Sequence, residues 1–325
     1  MASATLTAPS TAADHRPFAG RGHTGLSDLP PLTTTVPRQY VHRTAVSEVF
    51  LTDWRRAGTD AWVVSAQWPR AHSFYSPVDG LHDPMLLVET VRQASILLSH
   101  VAHGVPLDHP IIWQDLHYSL VPDALRVTGS PAEIELHITD HDLLHRGRRL
   151  AGARLGYRVL RDGTDLATAE LHFACQTPAV YRRLRGEYSD LQRANARKLE
   201  PAEPVAPRLV ARDRTGDVVL SPTGRANRWQ LRVNTAHPVL FDHPVDHAPG
   251  MLMMEAARQA AHAAAGPAFS LPTDMRCSFH RYGELDAPCW VEVTPAGHDA
   301  EGRLLQDVTI QQNGRTVFTA RTAGR

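Results

Sequence analysis

The chain has 325 residues, and its lysines plus arginines equal its aspartates plus glutamates at 34 each, so no net basic field marks a nucleic-acid or anionic-membrane partner. Three scattered cysteines, Cys175, Cys277 and Cys289, are too few for a disulfide framework and point to a reducing cytoplasm. No apolar run approaches ~20 residues and the N-terminus lacks the apolar core of a signal peptide, so neither a helical membrane span nor a secretory leader is expected.

In chain order, residues 1–37 are rich in Ala, Thr, Pro and Gly with little apolar bulk, and read as a disordered leader. A first domain is expected at 38–178. It opens on Val41-His42-Arg43, and Trp62 precedes the loop Phe74-Tyr75-Ser76-Pro77-Val78-Asp79. Leu86-Leu87-Val88-Glu89-Thr90-Val91-Arg92-Gln93-Ala94 follows as an apolar helix carrying one acid. Asp83 suits its N-cap and Pro84 its first turn, where a missing N–H costs nothing. An alternating run at 153–160 reaches Arg161-Asp162-Gly163, and Asp-Gly in that setting marks a tight hairpin. Residues 179–207 read as a linker, helical in its arginine-rich Tyr181-Arg182-Arg183-Leu184-Arg185 and proline-rich and semi-rigid at 201–207.

The second domain, 208–325, says much of this again. Leu252-Met253-Met254-Glu255-Ala256-Ala257-Arg258-Gln259-Ala260 returns 166 residues after the first helix with Glu, Arg, Gln and Ala in register. Upstream lie Trp229 and Phe241-Asp242-His243-Pro244-Val245-Asp246; downstream, Asn313-Gly314 interrupts another alternating run. Allowing one residue of slippage before the helix, Phe74 pairs with Phe241, Ser76 with His243 and Trp62 with Trp229. A domain-sized spacing means two copies of one fold rather than a solenoid. A helix apolar nearly all round is buried by its own domain, and at ~100° per residue the Arg at +3 and Gln at +4 flank the Glu. Function is to be sought where the copies meet.

Phe241-Asp242-His243-Pro244 leading into Pro249-Gly250-Met251-Leu252 and the Glu255 helix resembles the motif of hydroxyacyl-carrier-protein dehydratases. In those hotdog-fold enzymes a His-Phe-Pro loop precedes a Pro-Gly-Val-Leu helix bearing a Glu, with a Gln four residues on. The tandem form, with Arg three residues after each Glu and Val41-His42-Arg43 opening the first copy, resembles the A-factor biosynthesis family of γ-butyrolactone autoregulator synthases. The resemblance covers nearly all the chain outside leader and linker. It implies an α+β double hotdog, two antiparallel sheets each wrapped around a long central helix and joined edge to edge as an intrachain pseudo-dimer. It also implies an acyltransferase: a β-ketoacyl group leaves acyl carrier protein or coenzyme A for a hydroxyl of dihydroxyacetone phosphate, and the ester closes to a butenolide phosphate that other enzymes convert to the signalling lactone.

The residues support such chemistry on their own terms. A hydroxyl needs a base, and a partly desolvated Glu, with its pKa raised, is a candidate; Glu255 and Glu89 are therefore the expected catalytic acids. Free N–H groups at the start of a buried helix, at Gly250 and Met251, suit the oxyanion of an attacked thioester. Arg258 or Arg92 suits a phosphate, with Gln259 and Gln93 beside each Glu. Base, oxyanion site and phosphate clamp are thus expected within two turns of one helix, the better equipped being the second. The competing reading of each Glu is an intrahelical ion pair with the Arg at +3, but burying both charges for so little gain is costly. His243 is a candidate acid or base; His82 and His247 lie nearer the helices at unmatched offsets.

Other patterns weigh less. His243 with His247, or Cys277 with His280 and Cys289, lacks the paired ligand spacing of a zinc site, so no metal is expected. No Gly-rich phosphate loop and no Gly-x-Ser-x-Gly elbow occurs, and no cofactor is called for. Arg146-Gly147-Arg148-Arg149, with Arg182, Arg183 and Arg185, could receive an acidic carrier protein or be solvated faces. Two rivals stay open: a dehydratase or thioesterase on the same thioesters, and a non-catalytic acyl or lactone sensor. No nucleic-acid or membrane partner is expected, and pairing of two chains into a homodimer is left open.

Overall fold

The computed structural model describes residues 34–266, 269 and 271–324. Most of the expected leader lies outside the described residues. Val36, near its end, is buried and donates its N–H to the Leu51 carbonyl at 2.9 Å, which ties it to the first strand.

The first half comprises β1 (Leu51–Arg56), β2 (Ala61–Trp68), helix α1 (Met85–Val101), β3 (Ile111–Leu120), β4 (Ala132–Arg146), β5 (Arg149–Arg161) and β6 (Thr164–Cys175). Two short helices, α2 (Pro178–Arg185) and α3 (Leu191–Ala196), lead to the second half. That half comprises β7 (Leu220–Pro222), β8 (Arg228–Leu231), helix α4 (Gly250–Ala265), β9 (Pro272–Phe279), β10 (Cys289–His298), β11 (Leu304–Gln312) and β12 (Arg315–Gly324). The strands form one antiparallel sheet in the order β1-β2-β4-β5-β6-β3-β9-β12-β11-β10-β8-β7. The second six repeat the first six in mirror order, so the seam between copies is the β3–β9 pair, running from Asp115 opposite Ser278 to Ser119 opposite Asp274.

Alternation along the strands turns one face toward the helices. Ile134, Leu136 and Ile138 of β4 and Val308 and Ile310 of β11 are buried, and each such side chain contributes about 1.5–3 kcal/mol relative to exposure. The helices are buried almost all round: Met85, Leu86, Leu87 and Val91 in α1 and Met251, Leu252, Met254 and Ala257 in α4 are among the core residues. Both expected hairpins form. Asp162 and Gly163 (φ 49° and 78°) and Asn313 and Gly314 (φ 51° and 69°) take the paired positive φ of a turn that matches strand twist.

The two helices start differently. Asp83 Oδ1 accepts the Met85 N–H at 2.8 Å, the N-terminal capping expected of it, whereas Pro249 is extended (φ −62°, ψ 150°) and Gly250 is the first helical residue. The loops before them correct the pairing expected from sequence. His72 Nδ1 accepts the N–H groups of Phe74 and Tyr75, and His237 Nδ1 accepts those of Val239 and Leu240. Phe74 therefore corresponds to Val239 rather than Phe241, two residues away, and Trp62 loses Trp229 as its counterpart by the same shift. Chemical identity of the two Phe residues outweighed a register that only backbone hydrogen bonds reveal.

Candidate active site

Each Glu is the centre of a buried cluster built from three segments. Glu89, fully buried, accepts Arg43 Nε at 3.0 Å, Gln93 Nε2 at 2.7 Å and Arg92 Nε at 3.2 Å. Gln93 also ties Glu89 to the chain before β1, donating to the Glu48 carbonyl at 2.7 Å and accepting the Phe50 N–H at 2.9 Å. Glu255 is equally buried and accepts Arg212 Nε at 3.0 Å, Gln259 Nε2 at 2.5 Å and both Arg258 Nε and Nη2, at 2.9 and 2.7 Å. Gln259 likewise spans the Asp217 carbonyl and the Val219 N–H.

The halves are stitched through these clusters. Arg43 Nη1 donates to the Val239 carbonyl at 3.1 Å, and Arg212 Nη1 donates to the Phe74 carbonyl at 2.8 Å. The recipients sit on the loop held by His237 or His72, whose Nε2 lies 3.5 Å from Asp217 or 3.2 Å from Glu48.

The electrostatics reverse the expectation of a raised carboxyl pKa. Burial alone would raise Glu89, but Arg43 and Arg92 outweigh it and hold the carboxyl below its usual range. For Glu255, burial is likewise outweighed by Arg212 and Arg258, and the pKa falls to about 2. Both acids are ionised anchors for guanidiniums, and their oxygens are taken up by arginine and glutamine donors. The i+3 ion pair exists in both helices, reinforced by a second arginine from outside the helix.

A cavity of about 320 Å³ lies where the first cluster meets the start of α4. Its polar lining includes His42, Arg43, Arg92, Asp242, His243 and His247, and its apolar lining includes Ile96, Ile111, Ile112, Trp113, Val239, Met253 and Phe279. Gly250 and Met251 line it too, and among the described residues no acceptor meets either N–H. A Cβ at Gly250 would stand 3.1 Å from the Phe279 ring, so glycine lets that aromatic wall close against the helix start. Arg92 gives Glu89 only its Nε; Nη1 and Nη2 make just long 3.5 Å contacts with the Val41 and His42 carbonyls. Its terminal donors are thus available to an anion. Asp242, the nearby acid, is engaged by the N–H groups of Thr44 and Ala45.

The expected constellation is therefore divided between the halves. Gly250, Met251 and His243 come together with Arg92, and Glu89 and Gln93 back that arginine. Glu255, Arg258 and Gln259 are absent from the cavity lining; they belong to the other cluster, with Arg212 and the 217–219 segment. There the counterpart of the Met251 N–H, that of Met85, is taken by Asp83, whose Oδ2 lies 3.3 Å from Arg212 Nη1. A second hollow of about 570 Å³, lined by Phe74, Ser76, Asp79, Arg212, Arg214 and Asp217 among others, reaches Arg212 of this cluster but not Met85, Glu255 or Arg258.

His243 is half-exposed in the cavity wall, with Nδ1 3.5 Å from Asp242 Oδ2; burial, aided by Arg92, lowers its pKa despite Asp242. His247 also lines the cavity, with Nδ1 2.6 Å from Asp246 Oδ1. His82 is buried against Trp68, and burial and Arg161 push it down to about 4. Arg185 departs from the basic docking face suggested by sequence: it is buried, paired with Glu284 and Asp246, and stacked 4.1 Å from the Tyr282 ring. Arg43 and Arg212 were not singled out from sequence as site residues. Their signal is a Val-x-Arg, Val41-His42-Arg43 and Val210-Ala211-Arg212, preceding each helix by a similar distance.

Two hotdog halves sharing a sheet, with a cavity at their junction, define a double-hotdog protein. A putative oleoyl thioesterase from Lactobacillus plantarum has the same fold, superposing with a TM-score of 0.54 over 82% of this chain and 97% of that one at 11% identity. The A-factor biosynthesis hotdog domain model matches residues 25–177 and again 194–325, and the chain belongs to that family. A "2-oxo-3-(phosphooxy)propyl 3-oxoalkanoate synthase" of Streptomyces virginiae is 48% identical over 89% of this chain and 97% of its own length. The proteins of the same name from Streptomyces griseus and Streptomyces coelicolor are 42% and 38% identical over 88% and 89% of this chain and 94% and 91% of their own lengths. Among the described residues no helix is long and apolar enough to cross a membrane.

Proposed function

We propose that this chain is an acyltransferase that moves a 3-oxoacyl group from an acyl carrier protein or coenzyme A thioester to the hydroxyl of dihydroxyacetone phosphate. The product that the relatives' name describes is the ester of those two parts. The observation that carries the reading to this chain is a cavity lined both by Arg92, whose terminal nitrogens make only long 3.5 Å contacts, and by Gly250 and Met251, whose N–H groups meet no acceptor among the described residues. Arg92, backed by Arg43, holds the phosphate; a guanidinium matches it by charge and by its fork of donors. The two N–H groups, at the positive end of α4, meet the oxyanion that forms when the thioester carbonyl is attacked. The apolar wall of Ile96, Ile111, Ile112, Trp113 and Phe279 takes the acyl chain. Glu89 and Gln93 fix the arginines, and His243 is an acid–base group of the same cavity.

The test is incubation with a 3-oxoacyl thioester, with and without dihydroxyacetone phosphate, following free thiol and the phosphorylated ester by mass spectrometry. Ester formation that accounts for the thiol released is expected. Thiol release that ignores the acceptor would make the protein a thioesterase, and release of water from a 3-hydroxyacyl thioester would make it a dehydratase.

A further inference from the structure

Resting on the acyltransferase reading, we propose that His42 is the general base that takes the acceptor's hydroxyl proton, and that His100 is a positioning residue that fixes the His42 tautomer. His42 lines the cavity beside Arg92, and its Nε2 lies 2.9 Å from His100 Nε2. His100 Nδ1 lies 2.7 Å from the Val105 carbonyl. A carbonyl only accepts, so His100 carries its proton on Nδ1 and presents a bare Nε2. Two nitrogens 2.9 Å apart need one proton between them, which places it on His42 Nε2. The lone pair of His42 is then on Nδ1, which has no hydrogen-bond partner among the described residues. Burial, His100 and Arg92 lower His42 to about 3 and burial lowers His100, which keeps both rings neutral as this chain of bonds requires. A phosphate dianion on Arg92 opposes that lowering once the acceptor is in place.

The duplicated architecture supplies a second observation. His42 and Ala211 are counterparts, both left-handed (φ 49° and 51°) and each followed by the arginine that binds its half's Glu. His100 falls opposite Gly266, the α4 C-cap. Both members of the pair are thus missing from the half whose Glu255 cluster meets the Asp83-capped start of α1, and present in the half whose Glu89 cluster meets the open start of α4. Neither ring is needed to build a hotdog half, and His42 lines the cavity with His100 bonded behind it.

In the step itself the acceptor oxygen attacks the thioester carbonyl carbon while its proton passes to His42 Nδ1. Collapse of the tetrahedral intermediate breaks the carbon–sulfur bond, and the imidazolium returns the proton to the leaving thiolate, giving ester and free thiol. His42→Ala should lower kcat for ester formation about 100-fold, leave KM for dihydroxyacetone phosphate within about threefold, and recover at least about tenfold in added imidazole. His42→Gln, which can still donate to His100, should lose the same kcat, and His100→Gln should lose less without responding to imidazole. Folded His42→Ala or His42→Gln protein with kcat within about threefold of wild type would overturn the assignment, as would a loss in His42→Ala that imidazole does not touch. Nitrogen-15 NMR of the wild-type protein near pH 7 reads the tautomers directly: a protonated Nδ1 on neutral His42 would overturn the assignment even if no ester were made, while failure to make ester would count against the acyltransferase reading alone.

Discussion

Arg92 touches Glu89 through one nitrogen at 3.2 Å and keeps its side chain 16% exposed, whereas Arg258 closes on Glu255 through two nitrogens at 2.9 and 2.7 Å and is 4% exposed. On the proposed reading, the same Glu-x-x-Arg-Gln sequence makes a receptor in one half and a brace in the other. What differs is the segment that the opposite half brings up. In the first case it is the start of α4, with glycine and two unpartnered N–H groups; in the second it is Asp83, bonded to the Met85 N–H and facing Arg212. On that reading, Asp83 occupies at the Met85 N–H the position that the oxyanion would take at the equivalent Met251 N–H. The helix start is open to a ligand at one junction and capped by Asp83 at the other, where the hollow beside Arg212 stops short of it.

The sharpest way to break this asymmetry is to remove each arginine in turn. Arg92→Ala should lower kcat/KM for dihydroxyacetone phosphate about 100-fold or more with little change in melting temperature, since a charge-assisted phosphate contact is lost from a site open to a ligand. Arg258→Ala should instead act on stability, because breaking a buried pair costs about 3–5 kcal/mol. Kinetics measured below each variant's melting transition separate the two; equal losses of activity from fully folded proteins would count against the asymmetry.

Acid sharpens the same contrast. With its folded pKa depressed from 4.5 to about 2, Glu255 contributes stability that is fully present above pH ~4.5 and is lost as pH falls toward ~2, roughly 3 kcal/mol in all. Urea unfolding at pH 6 and pH 3 should show a smaller drop in Glu255→Gln than in wild type. An identical drop would mean that the ion cluster does not govern acid stability. The smallest effect expected is that of Asp83→Asn. The amide can still accept the Met85 N–H but loses its charge opposite Arg212, so stability should fall by about 1–3 kcal/mol with kcat/KM within about twofold of wild type.

Much of this arrangement is legible in the chain. Apolar helices with one acid each, Asp-Gly and Asn-Gly hairpins and the fixed helix spacing all depend on local patterns, while the edge-to-edge joining of the sheets was implied by the family resemblance and the strand order by neither. The division of the site between halves is not local. Helical spacing puts Arg258 near Glu255 but cannot say that the α4 start serves Arg92 instead, because that depends on how two copies dock across β3 and β9. The pKa direction was missed for the same reason: Arg43 and Arg212, each more than forty residues before its Glu, convert a desolvated acid into a clamped carboxylate. The Phe74 and Phe241 pairing failed because like residues are weak evidence of register beside the His72 and His237 backbone bonds.

Isothermal calorimetry with dihydroxyacetone phosphate tests the asymmetry most directly. One binding event per chain is expected, abolished in Arg92→Ala and retained in Arg258→Ala below its melting transition. Two equivalent events per chain, or binding that survives loss of Arg92 and vanishes with loss of Arg258 from a folded protein, would contradict it.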